Sequence, residues 1–185
     1  MIFTSIDFIV FFIFILGVVA IVKHRKFQHL ILLGGSYYFF YFSSNYLIVL
    51  LIFSTILDFY LAKLIYSTDN IFRKKLFLII SLVGNLGLLG FFKYSDFAIL
   101  QFNILGNYFD VGANIPFINL ILPLGISFYT FQTISYTIDV YRGTLKPSKT
   151  FSEFALFVAF FPQLVAGPIL RAKQFLPQLR EKMED

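Results

Sequence analysis

The residues best suited to chemistry lie in one apolar stretch, residues 122–143, which reads LPLGISFYTFQTISYTIDVYRG. Four of its polar residues follow the helical spacing i, i+3, i+4 and i+7, with a fifth near the same stripe: Gln132, Ser135, Tyr136, Asp139 and then Tyr129. Hydroxyl, amide and carboxylate groups can bind a polar substrate, but they meet hydrocarbon only at a cost. We therefore predict that this face points either to a hydrogen-bonding seam between helices or into a cavity for a substrate.

Two carboxylates lie in or beside apolar runs and have simpler interpretations as well. Asp139 comes shortly before Arg142 and could pair with it at the membrane interface. Asp58, in LIVLLIFSTILDFYLAKLIY, could form an internal hydrogen bond or ion pair, either with Lys63 or with a neighbouring helix. A proton relay through Asp58 is the less favoured alternative, because no second carboxylate accompanies it in the sequence.

Several kinds of catalytic site are missing from the sequence. Cysteine is absent, which excludes disulfides, thiolate metal sites and a cysteine nucleophile. The two histidines, His24 and His29, belong to one basic loop and are expected to be solvated. The chain has no phosphate-binding G-x-x-x-x-G-K-[ST] loop, no G-x-S-x-G nucleophile elbow and no paired carboxylates. We accordingly predict no catalytic residue, no metal site and no tightly bound cofactor.

The composition indicates the elements that must position these residues. Of 185 residues, 58% are hydrophobic and 14% are charged, and the mean hydropathy is +0.81. Average globular chains are roughly 25% charged. The sequence therefore predicts an all-α, polytopic transmembrane protein with broken or re-entrant segments, in a single transmembrane domain over residues 1–185.

The net charge of +5 is better explained by the membrane than by nucleic acid, because the 27 phenylalanines are spread through the apolar runs. If the first helix ends in the cytoplasm, ten basic residues at 23–26, 63–75 and 142–149 lie inside and only Lys93 lies outside before the C-terminal tail. This asymmetry favours an N-terminus outside the cell. The basic residues follow the first apolar run and no A-x-A site follows, so this run is expected to be an uncleaved helix and not a signal peptide.

Charge-free runs predict the helices: residues 8–22, 30–57, 76–92, 97–109, 111–138 and 154–170. Because an upright span needs only about 20 residues, we divide residues 30–57 into two helices at Ser43-Ser44-Asn45, the first of them short. Residues 97–109 are too short to cross a bilayer and are expected to be an interfacial or re-entrant piece. Pro116, Pro123 and Gly125 should interrupt residues 111–138.

The last apolar run, AFFPQLVAGPIL, contains two prolines six residues apart. Each removes an amide donor and disrupts the preceding turn. Broken backbone at membrane depth is tolerated only where protein or a water-filled cavity surrounds it. We therefore predict a re-entrant or kinked element, packed inside a larger protein, that contributes to the same substrate passage through Pro162, Gln163, Gly167 and Pro168.

Two of these segments also resemble a known family. LPLGISFYTFQTISYTIDVYRG at 122–143 and FVAFFPQLVAGPILRAKQFLPQL at 157–179 are similar to the bacterial branch of the membrane-bound O-acyltransferase family. The likeness is greatest to alginate O-acetyltransferases and related polysaccharide or peptidoglycan O-acetylation proteins, and weaker to the D-alanyl transfer protein of teichoic acid synthesis. The strong motifs cover about the last third of the chain, and the earlier helices are similar to the family in general character but carry no specific motif.

The resemblance implies an activity that the residues alone do not. In this family an acyl group, from acetyl-CoA or another acyl carrier, crosses a protein tunnel to a hydroxyl of an exported polymer. Family members are usually two to three times as long, and no position here matches their catalytic histidine. The resemblance therefore implies an N-terminal portion that is inactive by itself and needs a missing C-terminal half or companion chain.

The resemblance also implies where the protein works and with what. Its setting is the bacterial cytoplasmic membrane, and its expected partners are membrane lipids, a periplasmic acetyltransferase and a polysaccharide acceptor, with no nucleic acid. Two other functions stay open: a transporter or channel subunit, since polar faces and broken helices suit conduits equally well, and a non-catalytic membrane scaffold.

Overall fold

The computed structural model describes residues 6–109, 112, 114–166 and 170–180, and of 164–166 and 180 the backbone only. The regular structure of these residues is helical, which confirms the predicted all-α fold. The helices are α1 (Ile6–Ile21), α2 (Arg25–Ser44), α3 (Ile48–Ser67), α4 (Ile71–Tyr108), α5 (Ile126–Tyr141), α6 (Phe151–Ala159), α7 (Phe161–Ala166) and α8 (Ala172–Arg180).

The chain is a membrane protein. Two helical stretches, Arg25–Ser67 and Ile71–Tyr108, are long and apolar enough to cross a bilayer, with mean hydropathies of 2.1 and 1.9 over their most apolar windows. In the second stretch only 17% of that window is buried inside the protein. Side chains such as Val83 and Phe91 are therefore exposed on α4 and are suited to contact with lipid or with further protein.

The predicted break between the second and third helices is confirmed. A short 3₁₀ turn, Asn45–Leu47, separates α2 from α3, and Asn45 adopts a positive φ of 53°. Asparagine tolerates this conformation better than most residues that carry a side chain. The expectation that the first of the two helices is short is wrong: α2 has 20 residues because it already begins in the basic loop at Arg25.

The prediction of a separate interfacial piece at residues 97–109 is also wrong. These residues belong to α4, which runs unbroken for 38 residues and is about 57 Å long, against about 30 Å of hydrocarbon. The carboxylate of Asp96 accepts from the backbone N–H of Ile118 at 2.8 Å and of Asn119 at 3.1 Å. The segment before α5 is thus tied along this projecting end of α4.

Non-helical backbone precedes α5, as the prolines and Gly125 predicted. Residues 114–123 have no regular structure, and Gly125 has a φ of 67° at the start of the helix. A residue with a Cβ would be strained in this left-handed conformation. The interruption therefore fixes where α5 begins.

The last apolar run turns back on itself. Helix α6 ends before Phe160, and the backbone N–H of Phe161 donates to Ser36 Oγ at 3.4 Å, about three turns along α2 from its start. Helix α8 then returns to that start, where Leu179 O accepts from Arg25 Nη1 at 3.4 Å. The turn at Phe161 and the end of α8 therefore both contact α2, as expected for a re-entrant element, and the position of this element relative to the membrane stays a prediction.

Two apolar clusters hold this arrangement together. The larger joins α2, α3, α5, α6 and α8 and includes Tyr136 and Phe154, whose ring centroids are 4.3 Å apart. The smaller surrounds Phe161, at the start of α7, with the aromatic rings of α1 and α2. Phe161, next to the first break of the last apolar run, is therefore buried in protein, as broken backbone at membrane depth requires.

Candidate functional site

Helix α5 is the centre of the candidate site because it carries buried polar residues on two faces. The first, here called the α6 face, contains the predicted residues Tyr129, Gln132 and Tyr136, which are at most 2% exposed. The second, here called the threonine face, contains Thr130, Thr133 and Thr137, which are equally buried. Both faces are therefore covered by neighbouring helices, as the predicted seam or cavity requires, although Ser135 and Asp139 of the predicted stripe are only half-buried.

Gln132 joins α5 to the broken segment. Its Nε2 donates to the backbone carbonyl of Phe157 at 2.7 Å. That carbonyl lacks a helical partner because α6 ends two residues later, at Ala159. The break in the last apolar run thus creates the acceptor that holds the Gln132 amide in place.

Other polar atoms of this region have no partner among the described residues. They are Tyr37 Oη, Ser43 Oγ, Tyr129 Oη, Gln132 Oε1, Gln163 Nε2 and Gln163 Oε1. A buried polar group without a hydrogen bond costs roughly 1–3 kcal/mol. Their burial is favourable only when something else supplies partners, such as a polar substrate or further protein.

Two of these side chains lie in or beside the re-entrant element, since Gln163 belongs to α7 and the amide of Gln132 bonds to α6. Tyr129 packs its ring against Phe40 of α2 at a centroid distance of 6.0 Å, and Gln163 lies in α7, where it is 4% exposed. Pro162, beside it, is half-buried. Gly167 and Pro168, which complete the predicted passage, lie outside the described residues.

The remaining predicted residues have local partners. Ser135 is half-buried and its Oγ donates to the carbonyl of Gln132 at 2.8 Å. Tyr136 Oη accepts from the backbone N–H of Ser148 at 2.9 Å, which anchors the loop after α5. The hydroxyls of Ser135 and Tyr136 are therefore used in hydrogen bonds to the protein backbone.

Asp139 lies at the far end of the same face and stabilises a turn. Its backbone carbonyl accepts from Thr144 Oγ1 at 3.0 Å, and its carboxylate lies 3.4 Å from the same hydroxyl. Thr144 thus takes the place of the suggested partner Arg142. The structure separates Asp139 from the unpartnered groups near Tyr129 and assigns it to the loop after α5.

The threonine face belongs to a buried polar network that the sequence interpretation missed. Asp58 of α3, which is fully buried, accepts from Ser81 Oγ, from Asn85 Nδ2 at 2.7 Å and from Thr137 Oγ1 at 3.0 Å. Asn85 Oδ1 in turn accepts from Ser54 Oγ and from Thr133 Oγ1 at 3.3 Å. We call these six residues the Asp58 network: Ser54, Asp58, Ser81, Asn85, Thr133 and Thr137.

The network confirms that Asp58 bonds to neighbouring helices. The suggested pairing with Lys63 is wrong, since Lys63 Nζ lies instead over the ring of Phe59, 4.2 Å from its centroid. The signal that would have found the network is a repeated spacing of four, which α3, α4 and α5 share: Ser54/Asp58, Ser81/Asn85 and Thr133/Thr137. Residues four apart on a helix lie on one face, and three such pairs can meet at a crossing.

Known proteins similar to this chain are bacterial acyl-transfer proteins. The peptidoglycan O-acetyltransferase of Helicobacter pylori is 36% identical over 154 residues, which cover 70% of this chain and 28% of that protein. The probable alginate O-acetylase AlgI of Pseudomonas aeruginosa is 44% identical over 107 residues, 57% of this chain and 20% of that protein. The teichoic acid D-alanyltransferase of Bacillus subtilis is 36% identical over 58 residues, 31% of this chain and 15% of that protein.

The matched region thus spans 28% or less of the length of these relatives. No protein-family model matches the chain, and no solved structure matches it. The relatives confirm the resemblance to the alginate O-acetyltransferase-like bacterial branch of the membrane-bound O-acyltransferase family.

Proposed function

We propose that this chain is the N-terminal portion of a membrane-bound O-acyltransferase that transfers acyl groups, of which acetyl is the simplest, to hydroxyls of an exported polysaccharide. The observation that carries the proposal is the 36% identity over 154 residues to a peptidoglycan O-acetyltransferase, supported by the similar alginate O-acetylases. The acyl donor is acetyl-CoA or another acyl carrier, which acts as a substrate and not as a bound cofactor.

Within that enzyme, the α6 face of α5 and the re-entrant element form part of the wall of the acyl passage. The Tyr129 hydroxyl, the Gln132 carbonyl oxygen and the Gln163 amide support this role. An acyl carbonyl and an acceptor hydroxyl can supply the hydrogen bonds that these groups lack among the described residues. Catalysis needs residues beyond this chain, so residues 1–185 alone transfer no acyl group. The Asp58 network holds α5 in position.

The proposed setting is the bacterial cytoplasmic membrane, crossed several times, with the N-terminus outside. The basic residues near 23–26, 63–75 and 142–149 then face the cytoplasm, in agreement with the positive-inside rule. Acceptor polymer and a periplasmic acetyltransferase lie on the opposite side.

Tyr129→Phe in the full-length gene product tests the passage. The substitution removes only a hydroxyl that has no partner among the described residues and keeps the ring against Phe40. If the hydroxyl binds substrate, acetylation of the exported polymer should fall up to about tenfold, since a hydrogen bond contributes roughly 0.5–1.5 kcal/mol and 1.36 kcal/mol is tenfold in rate. The thermal stability of the protein should not fall.

Tyr136→Phe is the matched control, because it removes a hydroxyl that does have a partner, the N–H of Ser148. It should lower stability. If Tyr129→Phe leaves acetylation unchanged, its hydroxyl does not bind substrate. If Gln132→Leu also leaves acetylation unchanged, the α6 face does not line the passage.

Cysteine labelling tests access independently, because this chain contains no cysteine. In a full-length protein without other cysteines, Gln132→Cys should react with a water-soluble maleimide if the passage is hydrated. Phe131→Cys is the control, since Phe131 is 49% exposed on the outer side of α5 and should lie in lipid. Labelling of Phe131→Cys alone would contradict the proposed orientation.

A further inference from the structure

A basic cavity lies at the opposite end of α2 from the break at Asn45. It has a volume of about 670 Å³ and lies between the end of α1, the start of α2 and the end of α8. Its polar lining is Lys23, Arg25, Gln28, His29 and Gln178. No residue of the α6 face or of the Asp58 network lines it, so it is separate from the proposed passage.

The polar groups of this cavity are donors that the protein uses only in part. Gln28 Nε2 donates to the carbonyls of Val22 at 2.8 Å and Val19 at 3.2 Å, so it satisfies the last carbonyls of α1. Arg25 donates one hydrogen bond to Leu179 O and has further N–H groups available. Lys23 is exposed at the rim. What remains is a cationic site with spare donors and, among the residues that the structure describes, no acidic residue in its lining.

The rest of the cavity wall is apolar. Val19 and Ala20 come from α1, Leu32 from α2 and Leu179 from α8. The cationic groups lie at the start of α2, and the apolar side chains continue along the membrane-facing helices. Cations above an apolar wall match an amphiphile whose phosphate lies at the interface and whose acyl chains enter the bilayer.

We propose that this cavity binds the phosphate headgroup of an anionic membrane phospholipid. Basic pockets between membrane helices on the cytoplasmic side favour anionic headgroups, and each cation near the surface contributes to the attraction. Glu153 interacts electrostatically with His29, which leaves Lys23 and Arg25 as the residues that hold the phosphate. The bound lipid bridges α1, α2 and α8, and thereby supports the return of the re-entrant element.

The test measures binding of short-chain phosphatidylglycerol to the full-length gene product in a zwitterionic detergent, with phosphatidylcholine of the same chain length for comparison. Phosphatidylglycerol should bind more tightly, and its affinity should fall as salt is raised. The double variant Lys23→Gln/Arg25→Gln should weaken it about 30-fold, since two cations contribute about 1 kcal/mol each and 1.4 kcal/mol is tenfold. Lys23→Gln alone, which leaves the Arg25–Leu179 hydrogen bond intact, should weaken it about fivefold.

The matched control is Arg73→Gln/Lys75→Gln, which removes the same charge from exposed positions of α4 on the same predicted side. It should leave the affinity within about twofold, because these residues do not line the cavity. An equal loss in both double variants would overturn the proposal by showing a general charge effect, as would equal binding of phosphatidylcholine. Displacement of the lipid by glycerol 3-phosphate or coenzyme A would instead assign the cavity to a soluble phosphate compound and also overturn the proposal.

Discussion

Replacing Asn85 by leucine should destabilise the protein more than replacing Asp58 by leucine, although Asp58 lies at the centre of the network. Asn85→Leu removes the 2.7 Å donor to Asp58 Oδ2 and the acceptor that serves Ser54 and Thr133. A fully buried carboxylate oxygen then loses its donor, which costs roughly 1–3 kcal/mol or more for a charged group. Because the Ser54 hydroxyl also loses its acceptor, we expect the free energy of unfolding to fall by about 3 kcal/mol.

Asp58→Leu should be milder for a structural reason. The amide of Asn85 still donates to the carbonyl of Ser81 at 2.9 Å, and hydroxyls on a helix can turn to the carbonyl four residues before them. Such rotation is already seen in Thr55, whose Oγ1 donates to Leu51 O at 2.7 Å. We expect a loss of about 1–2 kcal/mol in the free energy of unfolding, because no carboxyl group remains buried without its donors.

Thermal unfolding of the full-length gene product in detergent, followed by the loss of the monodisperse species, measures this order. The double variant Asp58→Leu/Asn85→Leu should be more stable than the sum of the single losses predicts, since removing both partners leaves no stranded carboxylate. Asn107→Leu on the exposed end of α4 is the control and should change stability by no more than about 0.5 kcal/mol. Additive losses, or a greater loss for Asp58→Leu than for Asn85→Leu, would refute the reasoning.

Two further predictions concern packing and the loop after α5. Gly84→Val should weaken the contact of α4 with α3 by about 1 kcal/mol, because an added Cβ lies 2.7 Å from Leu57 Cδ2, a side-chain tip that must shift. Gly87→Val should have little effect on packing, since nothing lies within 4 Å of its added Cβ. Thermal unfolding compares the two variants, and equal losses of stability would contradict the close contact. Tyr136→Phe should cost about 1–3 kcal/mol, because the buried N–H of Ser148 loses its 2.9 Å acceptor, and hydrogen exchange at Ser148 should accelerate; unchanged exchange would contradict this role.

Local breaks were predictable from the sequence because they follow from covalent chemistry. The small polar residues Ser43-Ser44-Asn45 in an apolar run, and the prolines near 116–123 and at 162, each mark a place where regular helix ends. Proline removes a donor and asparagine tolerates positive φ wherever they occur. The same approach failed at residues 97–109, which the charges of Lys93 and Asp96 separate from the preceding apolar run. Charged residues end an apolar run but not a helix, because a helix can continue into water after it leaves the bilayer.

The polar faces of α5 were predictable only in part. Spacing identified Tyr129, Gln132 and Tyr136 as one face, and all three are buried. The Asp58 network could not be assembled from any one helix, because each contributes only a pair of small polar residues that is unremarkable alone. The hydrogen bonds between these pairs become apparent only where α3, α4 and α5 cross in the structure.

The two faces of α5 also depend on each other. Neighbouring residues of a helix point about 100° apart, so once Thr133 and Thr137 bond to α4 and α3, Gln132 is directed away from them, towards α6. The satisfied network thereby fixes the rotation of α5 at which Tyr129 and Gln132 face the broken segment with hydrogen-bonding capacity to spare. It follows that a substitution in the network, which lies behind the proposed passage, should alter acyl transfer through the rotation of α5 even where no substrate touches it.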